Sequence, residues 1–385
     1  MAVCQNIFQQ VFCLSMRICS AAKGTGSANS LAAMLQDKLN AFYTNMDFTN
    51  GDTWSTQWGP VVWQAPSSQV VDQAVAVCFN KTQNIYVVAI AATNPNSSFD
   101  VFYEDLAVSP KYKCSFDKPL LGDTSAGNWA ALQAILQMTD GGQSLSAFLK
   151  TVASSNGTLV FCGHSLGGGL TPLVAASLYP TGTASSGWRN VYTYGSAGPA
   201  TATSEFAAQF NGNFPKTNVG PQKYAVWNLN QYNPRDIVPN AWAPGVNGPG
   251  LALITAGTDE AKMFYVNLLH ADMIALVVAL RGMAQSLASD PNAPTPNPYG
   301  AVNGNPFFMG DRQSASITNK QLLVAEIGYQ HVQAYIEAFG VSALFPKNEV
   351  EGTIQPPLLT LAHTASVASV AAEATDPMQA SVTVR

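Results

Sequence analysis

The stretch TLVFCGHSLGGGLTPLVAASLY, residues 158–179, decides the fold of this chain. It opens on TLVFC, a short apolar run typical of a buried strand, and ends in a helical pattern from residue 168 onwards. Between the two, residues 163–167 (Gly-His-Ser-Leu-Gly) fit G-x-S-x-G, a pattern that holds a serine on a sharp turn between strand and helix. Because the chain contains 30 glycines, the pattern alone is weak evidence and its surroundings have to decide.

The surrounding sequence alternates strand-like and helical segments. Strand patterns occur at 71–93, as two strands joined by a polar turn, and at 190–195 and 223–230; helical patterns occur at 128–138, 144–155, 168–179 and 204–210. Alternation of this kind predicts the α/β class, with a mostly parallel central sheet covered by helices on both faces. The sheet provides the setting that the motif requires, with Ser165 at the carboxyl end of a central strand.

The composition excludes several classes of function. The net charge is −5 and the 18 Lys and Arg residues are scattered, so no basic patch exists to neutralise the phosphates of a nucleic acid. The six cysteines and four histidines show no metal-ligand spacing, so we expect neither a metal nor a cofactor. Charged residues make up only 11% of the chain, which suits contact with apolar material but equally fits a bias towards uncharged polar residues.

The N-terminal segment is a poor match to a signal peptide. No basic residue precedes its apolar stretch, which Gln9, Gln10 and Arg17 interrupt. Its apolar residues fit an amphipathic helix better than a cleaved leader, and the compartment stays open, as does the oligomeric state.

The rest of the chain indicates one domain over residues 1–351 and a loosely structured tail over 352–385, rich in small residues. Within the domain, Pro/Gly/Asn-rich loops flank an apolar helix, so 243–320 is predicted to be a cap or insertion. That helix includes Asn267, His270 and Asp272, which are costly in lipid, so we expect no transmembrane span.

A serine nucleophile needs an imidazole to accept its proton and a carboxylate to orient that imidazole. In proteins whose nucleophilic serine lies in a G-x-S-x-G turn of this kind, the chain order is serine, acid, histidine. His331 is favoured as the base because it opens HVQAYIEAFG, a helical apolar stripe that follows QLLVAEIG, and so would lie at a loop-to-helix junction. Asp236 is favoured as the acid because it closely follows the strand pattern KYAVWNLN, at the edge where the motif lies.

Alternatives remain for both partners. His270 in the apolar helix is a second candidate base, whereas His164 and His363 fit packing or tail roles; Asp259, Glu260, Asp272 and Asp311 remain possible acids. The alternative for Asp236 itself is an Asp turn beside Pro234 or a surface ion pair with Arg235.

At this point the chain resembles the class 3, or fungal-type, lipases of the α/β-hydrolase fold. The stretches that carry the resemblance are VFCGHSLGGGL, YTYGSAGP, RDIVP and HVQAY, and the similarity extends over about 70–242 and 322–345. It implies Ser165 as nucleophile, Asp236 as acid and His331 as base. It also implies an oxyanion hole formed by the Leu166 backbone N–H and Thr93.

The sequence departs from the family pattern in two places. Ala91 and Ala92 stand where many members have a basic residue and a glycine before the oxyanion residue. The long stretch 237–330 separates acid from base, whereas family members place them closer together. The family lid is expected near 94–103, with the apolar helix of the insertion as an additional cap.

These observations predict a serine carboxylic ester hydrolase that cleaves acylglycerols, with a lipid or ester substrate at a lipid–water interface. Phospholipids, short-chain esters and polyesters would use the same triad. A non-catalytic lipid-binding protein of the same fold is the alternative from a different class.

Overall fold

The computed structural model describes residues 2–97, 113–184, 186–239, 299–313 and 315–346. The strands are β1 Trp54–Trp63, β2 Gln73–Asn80, β3 Ile85–Ile90, β4 Lys113–Ser115, β5 Asp123–Ser125, β6 Thr139–Asp140, β7 Gln143–Ser144, β8 Thr158–His164, β9 Asn190–Ser196, β10 Ala202–Thr203, β11 Thr217–Asn218, β12 Val226–Trp227, β13 Leu229–Gln231, β14 Tyr299–Gly300 and β15 Gly304–Asn305. The α-helices are α1 Ile7–Arg17, α2 Ala28–Tyr43, α3 Met46–Thr49, α4 Ala126–Gln137, α5 Leu145–Val152, α6 Leu166–Leu178, α7 Ser204–Asn213, α8 Lys320–Gly328 and α9 Ala334–Ala338.

The central sheet has the strand order β1-β2-β3-β8-β9-β13-β15. The first two pairings are antiparallel, and every pairing from β3 onwards is parallel. The α/β class with a mostly parallel sheet is therefore confirmed. The polar turn at 81–84 joins β2 to β3, as its pattern predicts.

Side chains of the central strands alternate between two apolar layers, because successive residues of a strand point to opposite faces. On β8, Val160 and Cys162 lie in one layer and Leu159 and Phe161 in the other. The first layer also contains residues of α1, α2 and the C-terminal helices, and the second contains residues of α4 to α7. Helices thus cover both faces of the sheet.

Helix α1 is a core element of the first layer. Nine of its eleven residues are buried, including three that are polar. The Gln9 side chain donates to the backbone oxygen of Phe339 at 2.7 Å, and Gln10 donates to that of Thr49 at 2.9 Å. The prediction of a helix here is confirmed, but its polar positions are buried and hydrogen-bonded instead of facing solvent.

Part of the predicted insertion belongs to the main fold. β15 pairs in parallel with β13 at the edge of the central sheet, and β14 pairs with β10. Residues 240–298, which include the apolar helix predicted as a cap, and the predicted tail at 352–385 lie outside the described residues. Where the chain is described, every helix falls short of the length and apolarity that a membrane crossing requires.

Candidate active site

The motif forms a sharp turn with a strained backbone at its serine. β8 ends at His164, α6 begins at Leu166, and Ser165 between them has φ 57° and ψ −127°. A residue other than glycine pays conformational energy in this region, and such strain persists only where the surroundings enforce it. Here the Ser165 N–H donates to the backbone oxygen of Ser196 at 2.9 Å, which ties the turn to the end of β9.

The two motif glycines are required because backbone segments approach each other closely at these positions. A Cβ at Gly163 would collide with the backbone of Gly167, and a Cβ at Gly167 would collide with the backbone oxygens of Ile90 and Ala91. Helix α6 therefore begins directly against the ends of β8 and β3, which is possible only without side chains there.

His331 meets Ser165 from the C-terminal helical segment. Its Nε2 lies 2.8 Å from Ser165 Oγ and its Nδ1 lies 2.9 Å from Asp236 Oδ2. A carboxylate only accepts hydrogen bonds, so Nδ1 carries the proton, and Nε2 is left to accept from the serine hydroxyl. All three side chains are fully buried.

The prediction that His331 lies at a loop-to-helix junction is wrong. Residues 320–338 form one continuous helical segment, in which the π-helical turn Tyr329–Gln333 lies between α8 and α9. Such turns widen the helix by one residue and recur at functional sites. Helical periodicity does not reveal a π-turn, because the apolar stripe continues on either side of it.

Asp236 follows β13 by five residues in a short, tightly bonded loop. Its Oδ1 accepts from the Val238 N–H at 3.0 Å, which is the Asp turn considered as an alternative to a catalytic role. Its Oδ2 also accepts from the Tyr335 hydroxyl at 2.9 Å. The carboxylate therefore forms the turn and holds His331 at the same time.

Two residues of this network were missed from the sequence. Tyr335 was assigned to the apolar stripe, yet its hydroxyl donates to Asp236 and accepts from the Asn233 N–H at 3.0 Å. Asn233 donates to the backbone oxygen of Gln330 at 3.1 Å. Two signals in the sequence could have identified them. One is a tyrosine in the helical turn after a candidate base, and the other is an amide three residues before a candidate acid.

His164 was expected to pack or hydrogen-bond away from Ser165, and it does. Its Nδ1 lies 2.9 Å from Ser196 Oγ and its Nε2 lies 2.8 Å from the backbone oxygen of His331. Burial lowers the pKa of His164 well below 6.5, and the nearby imidazole of His331 lowers it further. Burial, reinforced by the Asp236 carboxylate, raises the pKa of Tyr335 and keeps its hydroxyl protonated.

The residues implied as oxyanion donors lie at the ends of neighbouring strands. β3 and β8 run in parallel with Ile90 opposite Gly163, so Thr93 and Leu166 each follow the carboxyl end of one of two adjacent strands. Both are buried. Leu166 is the first residue of α6, where backbone N–H groups have no partner within the helix.

The alternative bases His270 and His363, and the alternative acids Asp259, Glu260 and Asp272, lie outside the described residues. Asp311 is described, and its exposed position contrasts with the burial of Asp236. Arg235, considered as an ion-pair partner of Asp236, donates to the Gly310 backbone oxygen at 2.7 Å.

Comparison with known families and solved structures shows which proteins this chain is similar to. A sequence model of the class 3 lipases matches residues 87–245, which include the serine turn and the acid loop. Over these residues the chain is similar to the class 3 lipase family. This similarity supports a carboxylic ester hydrolase of the lipase type. No curated protein matches this chain in sequence.

One solved structure extends the likeness in fold beyond the family match. The M37 lipase crystal structure superposes with a TM-score of 0.66 at 21% identity, covering 93% of this chain and 99% of that one, which establishes the shared α/β-hydrolase fold. The Rhizomucor miehei lipase propeptide complex matches at 18% identity and TM-score 0.38, over 60% of this chain and 63% of that one. Lipase II from Rhizopus niveus matches at 14% identity and TM-score 0.38, over 61% and 73%.

Proposed function

We propose that this protein is a lipase, which hydrolyses acylglycerol esters through an acyl-enzyme formed on Ser165. The observation that carries the proposal is the unbroken chain of hydrogen bonds from Ser165 Oγ through His331 to Asp236, at 2.8 and 2.9 Å. Nucleophile, base and orienting acid are each within hydrogen-bond reach of the next, which is what acyl transfer requires.

In the first half-reaction, Ser165 Oγ attacks the ester carbonyl carbon while His331 Nε2 takes the hydroxyl proton. Asp236 holds His331 in the tautomer with a free Nε2 and stabilises the imidazolium that forms. His331 then gives the proton to the departing alcohol as the tetrahedral intermediate collapses to the acyl-enzyme. In the second half-reaction, water attacks the acyl carbon by the same route and releases the fatty acid and free Ser165.

The tetrahedral oxyanion is stabilised by the backbone N–H of Leu166 and by Thr93. The position of Leu166 supports this role, because its N–H lies at the first turn of α6, where the positive end of the helix dipole favours an anion. For Thr93 the support is its place after β3, the strand next to β8.

The substrate class rests on the family, and acylglycerols at a lipid–water interface are the substrates we propose. Phospholipids, short-chain esters and polyesters would use the same chemistry. The domain organisation stays part of the proposal, with one α/β-hydrolase domain over 1–351 that includes a cap or insertion at 243–320, and a tail at 352–385.

The first experiment compares wild type with Ser165→Ala on p-nitrophenyl esters of increasing acyl length, on emulsified triacylglycerol and on phospholipid vesicles. We expect wild-type turnover that rises with acyl length and on emulsions, and loss of turnover in Ser165→Ala. Turnover restricted to short soluble esters would favour an esterase. Lipid binding without turnover in folded wild-type protein would favour the non-catalytic alternative.

The oxyanion assignment needs a matched pair of variants. Thr93→Val keeps the shape but removes the hydroxyl, and losing one oxyanion donor costs about 3–4 kcal/mol in the barrier, or roughly 10² to 10³ in kcat. Thr93→Ser keeps the hydroxyl and should retain most of the activity. Equal kcat for Thr93→Val and wild type would remove the hydroxyl from the mechanism.

A further inference from the structure

Two side chains hold the backbone around His331 by hydrogen bonds. One belongs to the residue before the nucleophile, and the other belongs to a residue close to the acid in the chain. The His331 backbone oxygen faces His164 Nε2 at 2.8 Å, and His164 directly precedes Ser165. The Gln330 backbone oxygen accepts from the Asn233 amide at 3.1 Å, and Asn233 lies three residues before Asp236. Both accepting carbonyls belong to the π-helical turn Tyr329–Gln333.

A π-turn needs such support because it departs from the regular helical ladder. The Ala334 N–H reaches back to the backbone oxygen of Tyr329, five residues earlier, where an α-helix would bond four residues back. The carbonyl of His331 is attached to the Cα that carries the imidazole. A displacement of that carbonyl that carries the Cα with it therefore moves Nε2 relative to Ser165 Oγ.

The hydrogen-bond partners assign the tautomer of His164. A backbone carbonyl only accepts, so Nε2 carries the proton and donates to His331 O. Nδ1 is then an acceptor, and the Ser196 hydroxyl donates to it at 2.9 Å. Rings surround His164, with His331 and Tyr335 each 5.1 Å away and Phe12 at 6.2 Å between centroids. His164 is thus a neutral, fully buried bridge between the ends of β8 and β9 and the turn that bears the base.

We propose that His164 is a positioning residue for catalysis, which sets the place of the His331 imidazole by donating its Nε2 proton to the His331 backbone oxygen. This inference rests on the proposed function, in which His331 is the base. Both ring nitrogens of His164 are engaged, with Ser196 and with the His331 backbone, so it acts through His331. The strained turn of the nucleophile thereby controls the backbone of its own base, since His164 and Ser165 are adjacent.

The chain allows a matched set of substitutions at this position. In His164→Gln, the amide nitrogen stands the same number of bonds from Cβ as Nε2 and keeps a donor towards His331 O. In His164→Asn, the amide oxygen stands where Nδ1 does, so the bond from Ser196 is kept but the donor falls short of His331 O. His164→Met has the length of glutamine and no donor, so it serves as a second test should the asparagine variant fail to fold.

The experiment measures kcat and KM on a p-nitrophenyl ester, and the rate of inactivation by a p-nitrophenyl alkylphosphonate, which reports the nucleophilicity of Ser165. We expect kcat and the inactivation rate to fall about tenfold in His164→Asn and His164→Met, with KM within about twofold of wild type. A tenfold change corresponds to about 1.4 kcal/mol in the barrier. His164→Gln should stay within about threefold of wild type.

Two further readouts separate positioning from general packing. Ser196→Ala removes the other end of the bridge and should leave kcat within about threefold of wild type. The low-field proton resonance of His331 Nδ1–H should shift in His164→Asn and stay near its wild-type position in His164→Gln.

Each outcome decides the question. The inference is overturned if folded His164→Asn or His164→Met keeps the wild-type kcat. It is also overturned if kcat falls equally in the glutamine and methionine variants. A drop in Ser196→Ala as large as in His164→Asn would also overturn it. Ser165→Ala is measured alongside, because activity there would refute the serine mechanism itself, whereas its inactivity together with an unaffected His164→Asn would refute only the positioning role.

Discussion

The strained backbone at Ser165 makes a prediction that separates stability from activity. Its angles, φ 57° and ψ −127°, are those of the first central position of a type II′ turn, which favours glycine. Ser165→Gly should relieve the strain, whereas Ser165→Ala keeps the side-chain Cβ and the strain with it. Both variants lose the hydroxyl that contacts His331 at 2.8 Å, so both should be inactive.

The expected difference between the two variants follows from three contributions. Relief of strain favours glycine by about 3 kcal/mol, the upper end of the range for such residues. Glycine costs about 0.4–1 kcal/mol in chain entropy and forgoes about 0.8 kcal/mol of methyl burial at this fully buried position. The glycine variant should therefore be more stable than the alanine variant by about 1–2 kcal/mol.

Calorimetry provides the assay. A chain of 385 residues unfolds with an entropy of about 0.8 kcal/mol per kelvin, so the glycine variant should melt about 2 °C above the alanine variant. Urea denaturation of the same pair checks the difference independently of temperature. An alanine variant as stable as the glycine variant would refute the view that the elbow is strained.

Further predictions concern the elbow, the acid, and the buried bridge. Gly167→Ala should lose at least about 2 kcal/mol of stability, because its Cβ meets the backbone at the end of β3. Gly328→Ala has open space around its Cβ and should gain about 0.5–1 kcal/mol. Equal melting temperatures of the two variants would contradict this prediction. Tyr335→Phe removes a hydroxyl bond to the Asp236 carboxylate and should cost about 1.5–3 kcal/mol in urea denaturation, and an unchanged midpoint would count against that bond. Burial holds the pKa of His164 in the folded protein below 6.5. As the pH falls, residue 164 is therefore protonated in the unfolded chain before it is protonated in the folded protein, which favours unfolding. The stability of wild type relative to His164→Gln should decline by up to about 1.4 kcal/mol per pH unit below pH 6.5. A difference that stays constant from about pH 7 to pH 5 would contradict the lowered pKa.

The fold class and the helix and strand periods could be read from the sequence because they depend on local patterns. β8 and α6 lie where the apolar run and the helical pattern predict them. The glycines of the motif indicate the close approach between this strand and this helix. Candidate partners for Ser165 could be ranked because only four histidines exist and acid and base follow in a known order. Local pattern and chain order carry that information without any knowledge of contacts.

The sequence by itself therefore determined the strand–turn–helix around Ser165, the parallel sheet and a short set of candidate acids and bases. Only the tertiary structure decided that His331 sits in a π-turn, that Tyr335 and Asn233 brace the acid and the base, and that His164 reaches the His331 backbone. These contacts join residues about a hundred or more positions apart in the chain. A hydrogen bond between distant segments depends on how the sheet stacks its strand ends, and no local periodicity encodes that arrangement.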